Sequence, residues 1–158
     1  TLFPYTTLFR SPTADYHWVP LFDYELFPVC TPAMAATLGT APTAASLQQL
    51  PLVTVYSEAR HWEFWFAAAE VEFKALPAVP VDTVAVALEI ALAGRGVALV
   101  NGPFADEDLH AGRLVRPVAG SVKCPGAWGA ICRTDAKDNP RIHGFMDWLA
   151  AAAQPAKT

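Results

Sequence analysis

The chain has 158 residues, of which 53% are hydrophobic and 16% are charged, and this composition suits one globular domain with a sizeable core. The net charge of −4 comes without any cluster of Lys and Arg, which argues against a nucleic-acid-binding surface. The longest nearly uncharged apolar run, residues 83–94, contains Glu89 and is shorter than the ~20 residues that a membrane span needs.

The first eleven residues, TLFPYTTLFRS, show no helical or strand periodicity. One reading frame of a common sequencing adapter translates to the same eleven residues. We therefore interpret residues 1–11 as an assembly artefact and exclude them from the fold prediction. The remainder is expected to be a fragment, with 10 basic against 15 acidic residues once Arg10 is set aside, a net charge of −5.

The three cysteines, Cys30, Cys124 and Cys132, are odd in number and lack the spacing of a metal site. Reduced thiols in a cytoplasmic protein fit this pattern better than a disulfide framework.

Residues 21–30 are rich in aromatic and apolar side chains and predict one long extended segment. Thr31 can cap a helix and Pro32 suits its first position, so a short helix is expected over residues 32–37. Thr43 can likewise cap a second short helix, which Pro51 follows. The run at 52–56, LVTVY, then predicts a buried strand.

Trp62, Trp65, Phe66 and Ala69 share one helical face and predict a helix over residues 60–69. A short strand is expected at 79–81. Asp82 is placed as the N-cap of the next helix and Gly94 as its stop. Residues 96–100, GVALV, have no polar position and predict a strand covered on both faces.

Residues 103–110 predict a short helix, 114–115 and 127–132 predict strands, and Asn139-Pro140 starts a final helix. The buried stripe of that helix is expected to contain Ile142, Phe145, Met146 and Leu149, with fraying after Leu149. Strands alternate with helices throughout, which predicts an α/β domain with mostly parallel strand order.

Five segments in this order resemble the effector-binding domain of LysR-type transcriptional regulators, in the subgroup of the glycine-cleavage activator and the β-lactamase regulator. They are LFDYELFPVCTPAM at 21–34, HWEFWFAAAEV at 61–71, DTVAVALEIALAGRGVALV at 82–100, DEDLHAGRLVRP at 106–117 and RIHGFMDWL at 141–149. Each segment alone is a weak signal. Five in register are a specific one, and the resemblance covers roughly residues 18–153.

The resemblance implies a periplasmic-binding-protein-like (type II) two-lobed fold, truncated at the N-terminus of the first lobe. Residues 12–31 would be the end of the first lobe and the first crossover, 32–102 the second lobe, and 103–153 its remainder with the return to the first lobe and the final helix. Residues 154–158 are expected to be a disordered tail.

The resemblance also implies a small-molecule effector bound between the lobes. Asp82 and Thr83 are the first candidates for effector contact, because the free amide groups and positive dipole of a helix start suit an anionic ligand group, and this helix start faces the cleft in the family. As a helix cap, however, the carboxylate of Asp82 would compete with an anionic ligand, so a cationic or zwitterionic one is equally compatible. Tyr56 and Ser57 end a strand of the same lobe, and Thr31 lies at its entrance. Each of these five residues also has a plain structural interpretation as a cap or a loop residue.

Other features favour structural roles. The glycines of Gly94-Arg95-Gly96 lie between a helix and a strand, the reverse of a dinucleotide fingerprint, and are interpreted as turn glycines. Trp62 and Trp65 are expected in the core and the cysteines as inert thiols. The acidic run at 106–108 is expected on the first turn of a solvated helix.

The prediction is a non-enzymatic sensor domain of a cytoplasmic bacterial regulator, without cofactor or metal. DNA would be contacted only through an N-terminal winged helix-turn-helix absent from this chain, and the complete protein would be a dimer or tetramer with no membrane association. The alternative is a secreted solute-binding protein of the same architecture. A third hypothesis, an enzyme with Cys30 or Cys132 as nucleophile, has no residue spacing in its support.

Overall fold

The computed structural model describes residues 15–58, 60–74 and 79–153, and these form two compact units. One unit consists of residues 25–123. The other joins the described residues before position 25 to those after position 123. The adapter interpretation of residues 1–11 and the predicted tail at 154–158 lie outside the described residues and stay predictions.

The strands of the unit 25–123 follow the order β3-β2-β4-β1, where β1 is Tyr16–Val29, β2 Leu52–Val55, β3 Val79–Val81 and β4 Val97–Asn101. Strand β2 runs parallel to both β3 and β4. Strand β1 pairs with β4 in the antiparallel direction. The predicted α/β class is confirmed, and two of these three described pairings are parallel, as expected, while the antiparallel pairing of β1 with β4 makes the sheet mixed.

Local capping signals set the helix starts of this unit. Helix α1, Pro32–Ala36, begins as predicted, because the Thr31 hydroxyl accepts the Met34 amide at 3.3 Å and Pro32 occupies the first position. Residues Ala44–Gln49 form a 3₁₀ helix, in which the Thr43 amide donates to the Ser46 hydroxyl at 3.1 Å.

The longer helices are α2, His61–Ala68, and α3, Val84–Leu92, followed by the short helix α4, Asp106–His110. Helix α3 packs on one face of the sheet, and apolar residues from strands and helix form a single buried cluster there. Its members are Phe27, Val29, Val53, Val55, Val81, Ala87, Ala91, Ala98, Val100, Ala105 and Leu114. Strand β4 is buried along its whole length, as its apolar sequence predicts.

The opposite side chains of the strands are buried too, including Leu26, Leu52 and Val97. Trp62, Trp65 and Phe66 of α2 are likewise buried, and their ring centroids lie 5.2–6.2 Å apart, with Trp62 stacked on Phe66 and Trp65 edge-on to both. The predicted core role of this face is confirmed, except that Ala69 is exposed. The Trp62 indole N–H donates to the Val53 carbonyl at 2.8 Å.

Two predictions for residues 103–115 need correction. Asp108 does not lie on a solvated turn: it is 8% exposed and its carboxylate accepts from Arg113 Nε at 2.6 Å, because the chain folds back after α4 and covers it. Residues 114–115 make a single bridge from Val115 to Cys30 instead of a strand.

The second unit contains the start of β1, the neighbouring strand β5, Val122–Arg133, and the final helix α5, Pro140–Ala152. Asn139 caps α5 by accepting the Arg141 amide at 3.0 Å, as predicted. The expected stripe is wrong at Phe145, which is 58% exposed and pairs with Trp148 on the outer side, whereas Met146 is buried. The helix also continues to Ala152, beyond the expected fraying point.

Candidate functional site

The parallel strands β2 and β3 end together at one edge of the sheet. Their register pairs Val55 with Val81, so the residues that follow, Tyr56 and Asp82, leave neighbouring strands that are about 4.8 Å apart. Since β4 is parallel to β2, its last residue lies at the same edge. Ligands of open α/β sheets bind outside the carboxyl ends of the strands, and this edge is therefore the candidate site.

Four of the five residues proposed from the sequence meet at this edge: Tyr56 and Ser57 after β2, and Asp82 and Thr83 after β3. Tyr56 and Ser57 form a 3₁₀ turn with the next residue, and the Tyr56 side chain is 66% exposed. Ser57, Asp82 and Thr83 are exposed as well. An aromatic ring, two hydroxyls and a carboxylate are thus accessible at this edge.

Thr31 does not join them. Strand β1 is antiparallel to β4, so Thr31 follows β1 at the opposite edge, where β4 begins. Its hydroxyl lies 3.5 Å from where a Cβ on Gly94 would stand, and Gly94 precedes β4. Because that hydroxyl caps α1, the structure gives Thr31 a local role, and its contact with an effector stays a prediction.

The prediction that Asp82 caps the next helix is wrong by one residue. Thr83 is the N-cap, with extended φ and ψ of −141° and 158°, and its hydroxyl accepts the Val86 amide at 3.3 Å. The amides of Val84 and Ala85 have no intrahelical acceptor at such a helix start. Among the described residues the Asp82 side chain has no hydrogen-bond or ion-pair partner, so its carboxylate is available.

Asn101 is a residue of this edge that the sequence analysis passed over. It is the last residue of β4, is 1% exposed, and has an interaction partner within the protein. The sequence signal was present, since a single amide ends an otherwise apolar strand. Asn101 therefore places a buried polar residue at this edge.

The other features that could suggest a functional site, the glycines at 94 and 96 and the cysteine at 30, have structural roles. Gly94 has φ +67° at the end of α3, and a Cβ on Gly96 would approach the Pro51 carbonyl to 3.0 Å, so both are turn glycines as predicted. Cys30 is fully buried, and burial raises the pKa of its thiol to about 11, the opposite of what a nucleophile needs. Within the described part of the chain no three His, Cys, Asp or Glu side chains group as metal ligands.

A family model described as the LysR substrate binding domain matches residues 6–154. The match begins inside the segment interpreted as adapter-derived and extends to the end of the described chain.

Curated relatives include the transcriptional regulator TrpI of Pseudomonas aeruginosa, 32% identical over 147 residues, which cover 86% of this chain and 46% of TrpI. The glycine cleavage system transcriptional activator of Escherichia coli is 27% identical over 134 residues, covering 84% of this chain and 44% of the activator. The chain thus spans about half the length of the curated relatives it matches.

The solved effector domain of AmpR from Pseudomonas aeruginosa superposes with a TM-score of 0.74 at 28% identity, over 90% of this chain and 68% of that domain. The regulatory domain of CrgA from Neisseria meningitidis superposes with a TM-score of 0.70 at 17% identity, over 91% of this chain and 72% of that domain. At this low identity the likeness supports the fold and nothing further. These neighbours establish the type II periplasmic-binding-protein-like fold. The named relatives are transcriptional regulators rather than enzymes, and the secreted solute-binding alternative has no support among them.

Proposed function

Because the chain belongs to the LysR substrate-binding domain family, we propose that it senses a small-molecule effector as one part of a longer transcriptional regulator. The observation that supports this most directly is the edge formed by Tyr56, Ser57, Asp82 and Thr83. Four accessible polar or aromatic side chains meet there at the carboxyl ends of parallel strands, in a chain matched by an effector-domain family along almost its whole length.

The chemistry of this edge suits reversible binding. The hydroxyls of Ser57 and Thr83 donate and accept hydrogen bonds, the amides of Val84 and Ala85 donate, and the Tyr56 ring offers an apolar face. An effector that contacts this edge in one conformation more strongly than in another shifts the population toward the first. That differential affinity is the whole free energy available for signalling to another part of the regulator.

We extend the proposal to the complete protein. It would be a cytoplasmic homo-oligomer, a dimer or tetramer, that contacts DNA only through an N-terminal domain outside this chain, and it would catalyse no reaction. The curated relatives, all about twice as long as this chain, are regulators, and this chain has a net negative charge with no basic cluster. No described helix is both long and apolar enough to cross a bilayer.

The test begins with a thermal-shift screen of a metabolite library against this chain, followed by calorimetry on the compounds that raise its melting temperature. Ser57→Ala is expected to weaken binding of such a compound about two- to tenfold, the worth of one hydrogen bond. Thr37→Ala is the matched control, because it removes an exposed threonine hydroxyl at the end of α1, where it donates to the Met34 carbonyl at 2.7 Å. It is expected to lower stability without changing affinity.

In the complete regulator, the same compound is expected to change the affinity for operator DNA. The Ser57→Ala variant should require a higher concentration of the compound for the same change. Two results would contradict the proposal. One is that no compound in the library stabilises the chain. The other is that Ser57→Ala, Tyr56→Ala and Asp82→Asn all bind as the unaltered chain does.

A further inference from the structure

We propose that the effector carries a positively charged amine, which binds between the carboxylate of Asp82 and the ring of Tyr56. This inference rests on the proposed function and narrows it to one chemical class of ligand. It follows from which residue caps α3, from the register of β2 and β3, and from the charges around the edge.

The capping geometry leaves Asp82 free. Thr83 supplies the oxygen that accepts the Val86 amide, so the carboxylate one residue earlier is not used by the helix. Asp82 is exposed, and its carboxylate has no hydrogen-bonded or ionic partner among the residues that the structure describes. A carboxylate with all of its acceptor positions open is a partner for an ammonium group, which carries three donors and no acceptor.

The strand register brings an aromatic ring to the same place. Val55 and Val81 are paired, and Tyr56 and Asp82 are the next residues on each strand. Tyr56 is 66% exposed, so a ligand can reach its ring. A cation held over such a ring gains about 0.5–2 kcal/mol, depending on how far it is desolvated.

The neighbouring cation does not neutralise this carboxylate. Arg60 is the basic residue nearest in sequence to Tyr56, and its guanidinium is held by Glu63 at 3.3 Å and lies 5.3 Å from the Phe64 ring centroid. Among the four residues of the edge, Tyr56, Ser57, Asp82 and Thr83, one is acidic and none is basic. The hydroxyls of Ser57 and Thr83 and the amides at the start of α3 remain for a polar group elsewhere on the same molecule, as free amino acids carry.

The experiment uses pairs of probes that differ in one charge. Each free amino acid is measured beside its N-acetyl derivative, which keeps the side chain and the carboxylate but removes the ammonium group. Binding is followed by thermal shift and calorimetry on the 158-residue chain. We expect at least one free amino acid to stabilise the chain and its N-acetyl derivative to fail. Raised salt is expected to weaken the binding, because the edge is exposed.

Asp82→Asn is expected to lower the affinity about tenfold or more, since a charge-assisted contact is lost while the side-chain volume is kept. Glu89→Gln is the matched control, an exposed carboxylate further along α3, and should bind as the unaltered chain does. Tyr56→Phe should retain most of the affinity and Tyr56→Ala should lose it, because the ring and not the hydroxyl faces the cation.

Equal binding of free and N-acetylated compounds, or unchanged affinity in Asp82→Asn, would overturn the amine inference while leaving an effector-binding domain. If no amino compound binds but another metabolite does, the inference again fails alone. If the metabolite screen is empty as well, the proposed function falls with it.

Discussion

Cys30 lies at the end of β1 with no exposed surface, and its burial raises the pKa of the thiol from an ordinary 9.0 to about 11. The neutral thiol is therefore favoured in the folded chain. Its contribution to stability is fully present below pH 9.0 and is lost as the pH rises toward about 11, since the unfolded chain then releases a proton that the folded chain keeps.

We predict that the free energy of unfolding falls across this pH window more steeply in the unaltered chain than in Cys30→Ala. Urea unfolding at several pH values measures both slopes, and their difference isolates the thiol from lysine and tyrosine titration. At mildly alkaline pH, iodoacetamide should modify the half-buried Cys124 and Cys132 before Cys30. Parallel slopes, or early modification of Cys30, would contradict the burial argument.

Glu70 is the only described residue other than glycine with a positive φ, at 57°. It follows α2 in a C-terminal motif, where Val71 donates to the Phe66 carbonyl at 2.9 Å and Glu70 to the Ala67 carbonyl at 3.1 Å. The left-handed conformation strains any residue with a Cβ, and glycine relieves that strain.

Glu70→Gly is expected to raise the free energy of unfolding by about 0.5–1 kcal/mol, the relieved strain less the extra entropy of the unfolded chain. Glu70→Ala is the matched control, because it removes the same charge but keeps the Cβ. Chemical denaturation of the unaltered chain and the two variants measures the free energy of unfolding of each. An equal increase in Glu70→Ala and Glu70→Gly would assign the effect to the lost charge instead of to backbone strain.

At the scale of elements, the cap of α3 bears on stability and on the ligand chemistry proposed above. Thr83 caps the helix and Asp82 does not, so the two adjacent residues should respond differently to substitution. Thr83→Ala is expected to lower the free energy of unfolding by about 1 kcal/mol, whereas Thr83→Ser should keep most of it because serine also caps helices. Asp82→Ala should leave the melting temperature nearly unchanged. Equal losses of stability in Thr83→Ala and Asp82→Ala would indicate that Asp82 caps the helix too.

The sheet itself explains why four candidate residues meet and one does not. Parallel strands deliver the residues that follow them to one edge, which brings Tyr56 and Asp82 together. The residues that follow an antiparallel strand lie at the opposite edge, and Thr31 follows such a strand. The direction of β1 relative to β4 therefore places Thr31 at the other edge of the sheet.

For the whole molecule, the two compact units differ in how much core they contain. Among the described residues, nearly all buried apolar side chains belong to residues 25–123, while Tyr24 and Met146 are the buried ones in the other unit. That second unit exposes large apolar side chains, namely Tyr16, Trp128, Ile131, Phe145 and Trp148. The chain matches 68% of the AmpR effector domain, so a third of that domain has no counterpart here.

We therefore predict broad, weakly cooperative unfolding of this chain, with residues 25–123 melting at the higher temperature, and self-association through the exposed apolar residues. Calorimetry combined with sedimentation at several concentrations measures both. A monodisperse monomer with one sharp transition would contradict this prediction. Phe145→Ser with Trp148→Ser should reduce association, whereas Phe64→Ser, at an exposed aromatic residue of the other unit, should not.

The sequence by itself determined the class of fold and most of the element starts. Apolar runs predicted β2 and β4, and the pairs Thr31-Pro32 and Asn139-Pro140 predicted two helix starts, because these signals act over four or five residues. The resemblance supplied the family, since five short segments in register are specific together even where each is weak alone.

Only the tertiary structure decided which residues share an edge, which carboxylates are buried and which face of α5 is covered. Strand order and direction depend on pairing between segments far apart in the chain, which no local pattern encodes. Asp108 is buried by Arg113 folding back over it, and Phe145 is exposed because the buried face is centred on Met146. The cap at Thr83 was missed for a different reason: both neighbours are good capping residues, and only the backbone geometry distinguishes them.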